Sequence, residues 1–198
     1  MIENSTQIVH KENPVLLDRV LQNIQTALLD NLAWLDHAFG KAYKLVEYQP
    51  EGSRVVYPAV YSGNGEYLSV LPNDNMGNFS WFEIYDPQKV THVGQSLSQY
   101  TFDGALIFWY DISKIYEDTS VMYTEEIKNE ILKVLTSPGL IPLSGRILVT
   151  DIYERPENIY RGYAYQGENM QEGGKHFLMY PYAGIRIEFT LTARELCQ

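Results

Sequence analysis

Hydrophobic and polar residues alternate most clearly near the end of the chain, between Tyr182 and Thr192. The apolar positions are Ala183, Ile185, Ile187, Phe189 and Leu191. The positions between them are Gly184, Arg186, Glu188, Thr190 and Thr192. Because successive side chains of a strand point to opposite faces, this pattern predicts a strand of an antiparallel sheet. We expect that sheet to be covered on one face and free on the other.

Two other segments repeat apolar residues at steps of three and four positions, which predicts amphipathic helices. The first runs from about Pro14 to Leu29, with Asn13 as its candidate N-cap. An alternative is that this helix continues through Leu35 and is ended by Gly40. The second runs from Thr124 to Leu135, with Thr124 as the cap and two glutamates in its first turn, where the helix dipole favours negative charge.

The middle of the chain is rich in predicted strands. A hairpin is predicted where two strand-like segments flank the Gly- and Asn-containing turn at Ser62–Gly65. Residues 105–110 are apolar at every position, which indicates a strand buried on both faces at the centre of a sheet. The predicted strands before the last one are Arg54–Tyr61, Glu66–Leu71, Phe79–Tyr85, Gln99–Ile112 and Arg146–Tyr153.

These elements predict an α+β fold with a mainly antiparallel central sheet and two principal helices packed on one face. The length of 198 residues fits a single domain, residues 1–198. Residues 1–12 are expected to form a flexible N-terminal arm. Residues 154–176 form a polar, Gly- and Tyr-rich loop, and a loop of this length in a compact domain is usually functional or mobile.

The charge of the chain narrows the classes of partner. The formal net charge is −10 and the pI is near 4.8, and the sequence contains no run of basic residues. Because binding to a phosphate backbone needs clustered Lys and Arg, nucleic acid is not expected as a direct partner. The start of the chain lacks a basic and apolar leader, and no stretch approaches 18 apolar residues. We therefore expect no membrane partner, and a location in the bacterial cytoplasm or in a virion.

Motifs for catalysis, metals and cofactors are missing from the sequence. The four histidines are scattered singly, and the single cysteine, Cys197, is next to the last residue. Neither a nucleophile elbow nor a glycine-rich phosphate loop occurs. A pair of carboxylates leaves no short motif, so a glycosidase remains an alternative. Its candidate acids are Asp103, Asp111, Asp151 and Glu188.

Tyrosine is unusually frequent, with 16 residues in the chain. Tyrosine favours strands, and it also favours protein interfaces and sugar-binding clefts. The polar face of the last strand is either solvated or docked on a neighbouring subunit. The resulting candidate interface residues are Tyr160, Tyr163, Tyr165, Arg186 and Glu188. A ligand- or glycan-binding module that uses these tyrosines with Tyr180 and Tyr182 is the alternative interpretation.

The order of predicted elements resembles that of the tail terminator and tail-completion proteins of long-tailed bacteriophages and prophage-like elements. The segments that carry the resemblance are 13–35, Ser80–Pro87, Ala105–Asp111, Glu125–Leu135 and Tyr182–Thr192. The resemblance implies a non-enzymatic structural subunit with no catalytic residues and no cofactor. Such a subunit forms a homo-oligomeric ring that caps the tail tube and joins it to the head connector, so its partners are itself, tail-tube proteins and head-connector proteins. The loop at 154–176 has no counterpart in the resemblance.

Overall fold

The fold is α+β, as predicted. The computed structural model describes residues 10–48, 50, 52, 54–93, 97–118, 120–137, 145–165, 168–169 and 178–196. Its helices are α1 (Leu16–Asn31), α2 (Ile112–Ile115), α3 (Thr124–Leu135) and α4 (Pro156–Ile159), with a 3₁₀ turn at Asp74–Met76. Its first strands are β1 (His37–Tyr48), β2 (Arg54–Gly63), β3 (Glu66–Ser69), β4 (Phe79–Ile84) and β5 (Lys89–Val93). The later strands are β6 (Leu97–Asp111), β7 (Gly145–Tyr153), β8 (Ala164–Tyr165), β9 (Glu168–Asn169) and β10 (Tyr182–Leu196).

The described strands form one mixed, mostly antiparallel sheet. Its order is β7, β10, β6, β4, β1, β2, β8, β9, with β3 paired to β2 and β5 paired to β6. The pairing of β1 with β4 is parallel, and the other pairings of the described strands are antiparallel. The predicted hairpin is confirmed as β2 and β3. The predicted central strand is confirmed as well, because β6 lies between β10 and β4 and residues 105–110 are at most 1% exposed.

The predicted alternation of the last strand is confirmed in β10. Ile185, Ile187, Phe189 and Leu191 are buried in a hydrophobic core with residues of α1, α3 and β6. On the neighbouring strand, Leu106 and Phe108 belong to the same core. Phe189 lies opposite Gly104 of β6 and meets the ring of Phe82 at 6.2 Å in an edge-to-face contact, which is a favoured aromatic geometry.

The other face of the sheet is also covered, and the prediction of a free face is wrong. A second core contains Phe39 of β1, Trp81 of β4 and Trp109 of β6, together with Tyr160 and Tyr163 from the segment after β7. This segment turns back over the sheet at α4. The polar residues Arg186 and Glu188 of β10 are therefore buried, with 1% and 8% of their surface exposed. Polar side chains on this strand find partners inside the protein instead of solvent.

Helix α1 begins two residues later than predicted, and Asn13 is not its N-cap. The N-cap is Val15, which makes no side-chain capping hydrogen bond. The residues before the helix lie back along it, since the Gln22 side chain accepts from the Lys11 amide and donates to the Lys11 carbonyl, both at 3.1 Å. These contacts hold the preceding segment against the helix. The first nine residues of the predicted N-terminal arm lie outside the described residues.

Strand β1 was not predicted. Its pairing with β4 shifts register between Ala38 and Lys41, around Gly40. Such a bulge breaks the alternation of apolar residues from which a strand is recognised. Beyond the bulge, residues 43–48 are mostly exposed and mixed in polarity. Within the predicted 154–176 loop, the structure describes residues 154–165 and 168–169, which include α4, β8 and β9. Residues 166–167 and 170–176 lie outside the described part of the chain.

Candidate functional site

Four of the five predicted interface residues lie close together on the buried face of the sheet that α4 covers. Arg186 and Glu188 come from β10, and Tyr160 and Tyr163 come from the turn after α4. All four side chains are buried within the chain. The fifth residue, Tyr165, lies in β8, and its side chain is outside the described part of the structure.

Arg186 lies at the centre of a network that we call the Arg186 cluster: Arg186, Glu83, Tyr85, Arg161 and Glu188. Its Nη2 donates to Glu83 Oε2 at 2.7 Å, and its Nε donates to Glu188 Oε1 at 2.8 Å. Its Nη1 donates to the carbonyl of Ile159 at 3.4 Å. One guanidinium thus connects β4, β10 and the end of α4. Arginine suits this position because its fork of donors is fixed and permanently charged.

Tyr85 and Arg161 complete the cluster on the side of Glu188. The Tyr85 hydroxyl contacts Arg186 and lies 2.8 Å from Glu188 Oε2. Arg161 Nη2 forms an ion pair with Glu188 Oε1 at 2.5 Å. The Arg161 guanidinium also lies over the ring of Tyr153 at 5.5 Å, which is a cation–π distance. Glu188 is therefore shared by two arginines.

On the side of Glu83, a tyrosine and a lysine approach the other carboxylate oxygen. Tyr163 donates its hydroxyl to Glu83 Oε1 at 3.3 Å, and Lys44 Nζ lies 3.6 Å from the same oxygen. The Lys44 ammonium lies over the Tyr163 ring at 5.1 Å. Tyr160 turns away from the cluster and donates to the Val70 carbonyl at 3.0 Å. Every predicted residue with a described side chain has an internal partner.

The electrostatics of the cluster keep its groups in the states that form these bonds. Burial raises the pKa of the Tyr85 and Tyr163 hydroxyls, so both stay neutral donors. Burial alone would lower the pKa of Arg186, but Glu83 and Glu188 outweigh it and the pKa is raised. The cluster offers neither a free base nor a free nucleophile. Its arrangement can hold strands and a covering segment together.

The remaining candidate acids also have structural partners or point to solvent. Asp103 accepts from the Thr190 hydroxyl at 2.7 Å, which lowers the pKa of its carboxyl group. Asp111 is buried and caps α2 by accepting from the Ser113 amide at 3.0 Å. Asp151 is exposed on β7.

A cleft that the sequence interpretation missed lies between the first half of α1 and strands β1, β2 and β3. Its volume is about 400 Å³, and we call it the tyrosine cleft because Tyr43, Tyr61 and Tyr67 line it. The Tyr67 ring meets Tyr43 at 5.9 Å and Tyr61 at 5.6 Å, both edge to face. These three rings are partly exposed, unlike Tyr160 and Tyr163.

Charged residues also line the tyrosine cleft. Lys41 places its ammonium 5.2 Å from the centre of the Tyr43 ring, and Lys11 pairs with Asp18. Tyr61 and Tyr67 are cross-strand partners on either side of the predicted turn. That relation could have been derived from the sequence, because partners across a hairpin share one face. Tyr43 could not, because β1 was not predicted.

Comparison with known proteins does not identify the chain. No protein-family model matches it, and no curated protein matches it. Among the described residues, no three His, Cys, Asp or Glu side chains are grouped as metal ligands. Within the same residues, no helix has both the length and the apolar character needed to cross a membrane.

Proposed function

We propose that the protein is a non-enzymatic structural subunit that forms a homo-oligomeric ring. By resemblance to phage tail terminator subunits, this ring caps a tail tube and joins it to a head connector, in the bacterial cytoplasm or in a virion. The supporting architecture is a large sheet, of which α1 and α3 cover one face and α4 the other. Tail-tube and head-connector proteins are the further partners of this proposal.

The observation that carries the proposal is a contiguous exposed aromatic surface on a strongly acidic chain. Tyr43, Tyr61 and Tyr67 are in ring contact with one another, and each is more than 40% exposed. Exposed aromatic groups of this kind mark interaction sites more often than free surface. The candidate acid Glu188 is consistent with this proposal, since it is paired with Arg186 and Arg161 inside the fold.

Sedimentation velocity over a range of protein concentrations tests this proposal. A ring-forming subunit is expected to sediment as larger species as the concentration rises, and rings are expected in negative-stain images. Strictly monomeric sedimentation up to the solubility limit, with no rings on the grids, would contradict the proposal.

The tyrosine cleft favours a second candidate, a ligand- or glycan-binding module. A carboxylate-pair glycoside hydrolase is the other form of this alternative, although the described lining of the cleft contains one carboxylate, Asp18, which pairs with Lys11. A cleft of about 400 Å³ with aromatic walls falls in the range of small-molecule sites. Titration calorimetry with a glycan panel tests this candidate. Saturable binding by a monomer, abolished in Tyr67→Ala but retained in Tyr180→Ala, would favour it over assembly. Release of reducing sugar would favour the hydrolase.

A further inference from the structure

We propose that the tyrosine cleft of one copy receives the loop between α2 and α3 of the next copy. This inference rests on the proposed function, because it requires that copies of the chain associate. It names the two surfaces that meet and the chemistry that joins them. The loop is called the Met122 knob here, and it consists of residues 120–123.

The Met122 knob presents apolar side chains on a rigid base. Val121 is 51% exposed and Met122 is 58% exposed. Behind them, Tyr123 stacks on Tyr116 with 4.0 Å between ring centres. Asp118 accepts from the Ser120 amide at 2.8 Å and from the Tyr123 hydroxyl at 3.3 Å. A loop held in this way loses little conformational entropy when it binds, so its apolar side chains can contribute to affinity.

The charges around the knob and the cleft are opposite. Exposed acids stand on both sides of the knob, at Glu117 and Asp118 before it and at Glu125 and Glu126 after it. Of the described charged residues that line the cleft, Lys11 and Asp18 pair with each other, so Lys41 supplies the positive charge for the knob. Two copies of a chain with a net charge of −10 repel each other at long range, so a contact between them needs a local complement of this kind.

The size and lining of the cleft suit the apolar side chains of the knob. The cleft holds about 400 Å³, which is room enough for the side chains of Met122 and Val121. Its walls are tyrosine rings, and a methionine sulfur makes favourable contacts with aromatic rings. Methionine is also flexible enough to fill an irregular pocket.

The knob residues do not line the cleft of their own chain, so the proposed contact is one between two copies. The cleft is built from α1, β1, β2 and β3. The knob follows β6 and α2, and α3 beyond it is tied to the end of β7 by the Lys128 to Glu154 ion pair at 2.6 Å. In the sheet order, β7 is separated from β1 by three strands. Two different surfaces that bind each other form a heterologous contact, which closes into a ring or extends into a filament.

Single substitutions in the full-length chain test the contact by sedimentation velocity. Met122→Ala is expected to raise the dissociation constant of self-association at least about tenfold, as for a buried anchor residue. Met179→Ala is the matched control, because Met179 is 62% exposed and belongs to neither site. It should change the constant less than about twofold. In the cleft, Tyr67→Ala and Lys41→Glu should each weaken association as Met122→Ala does, with unchanged thermal unfolding.

Mixing two variants gives the decisive readout. A Met122→Ala chain keeps its cleft, and a Tyr67→Ala chain keeps its knob, so their mixture should form a one-to-one dimer and no larger species. If the Met122, Tyr67 and Lys41 variants all associate as strongly as the wild type, the contact between knob and cleft is refuted. The proposed ring is not refuted by that result. A wild type that stays monomeric at every concentration would overturn both.

Discussion

Replacing Arg186 with methionine tests whether the Arg186 cluster holds the fold together. The guanidinium is 1% exposed and forms ion pairs with Glu83 at 2.7 Å and Glu188 at 2.8 Å. Methionine keeps an apolar stem of similar length but has no donor. Removing one partner of a buried ion pair typically costs about 3–5 kcal/mol, because a buried charge is left uncompensated.

Two cations remain near the carboxylates in Arg186→Met, and their partial compensation reduces the expected loss of stability. Arg161 stays 2.5 Å from the carboxylate of Glu188, and Lys44 stays 3.6 Å from that of Glu83. Both cations are partly exposed, so solvent screens their attraction and their compensation is incomplete. We therefore expect Arg186→Met to lower the free energy of unfolding by about 3 kcal/mol, near the lower end.

Urea denaturation measures this loss, and the same strand supplies the control. Arg194 of β10 is exposed and donates to Gln99 at 3.0 Å, so Arg194→Met should cost less than about 0.5 kcal/mol. Equal losses in the two variants would refute the buried cluster. In the triple variant Arg186→Met, Glu83→Leu, Glu188→Leu, most of the stability should return, because no fully buried charge is left stranded. Arg161 and Lys44 lose their carboxylates, but both side chains are partly exposed and solvent can compensate their charge. A triple variant less stable than Arg186→Met alone would show that stranded carboxylates are not the cause.

Three further predictions concern the core, a close strand contact and the tyrosines. Phe189→Ala should cost about 3–5 kcal/mol in urea denaturation, whereas Thr192→Ala on the opposite face of β10 should cost less than about 1 kcal/mol. Gly104→Ala should lower the free energy of unfolding by about 1–3 kcal/mol, because the new Cβ would lie 2.5 Å from the Glu83 carbonyl oxygen. Gly40→Ala is the control and should be tolerated, because the nearest atom to its new Cβ is 3.8 Å away. Burial raises the pKa of Tyr110, and the hydrogen bond to Asp74 raises the pKa of Tyr182 to about 12. Because an unfolded tyrosine ionises near pH 10, these two tyrosines should leave the free energy of unfolding unchanged below about pH 10 and lower it as the pH rises further. In a titration followed by tyrosinate absorbance, Tyr182→Phe should remove one of the late ionisation steps.

The sequence alone predicts the elements whose patterns are local. The alternation in β10 predicts the face to which each of its side chains points, and the apolar run at 105–110 predicts the central strand. Both predictions depend only on neighbours in the chain. Strand β1 escapes the same reasoning, because the bulge at Gly40 shifts its alternation and its second half is exposed on both faces.

The buried charges could not be derived from such local patterns. A polar row on a strand normally indicates a solvated face, and nothing beside Arg186 in the sequence contradicts that interpretation. Its partner Glu83 is 103 residues away, and the segment that covers both residues is the long loop for which no packing was predicted. Tyr160 and Tyr163 of that loop pack against the sheet inside the protein, so the surface that they mark is buried. The exposed tyrosines whose rings contact one another, Tyr43, Tyr61 and Tyr67, lie instead on β1, β2 and β3.

The internal use of two arginines removes them from any contact between copies of this chain. Arg186 and Arg161 are committed to Glu188 and Glu83 within the fold, so these cations are not free to attract another acidic molecule. The surface that remains carries most of the negative charge, and two such surfaces repel each other. Lysines beside exposed aromatic rings are then the favourable places for a second copy to bind, because the rings supply apolar area and the lysines offset the repulsion. The tyrosine cleft, with Lys41 beside the Tyr43 ring, combines both features, which is why we place the subunit contact there.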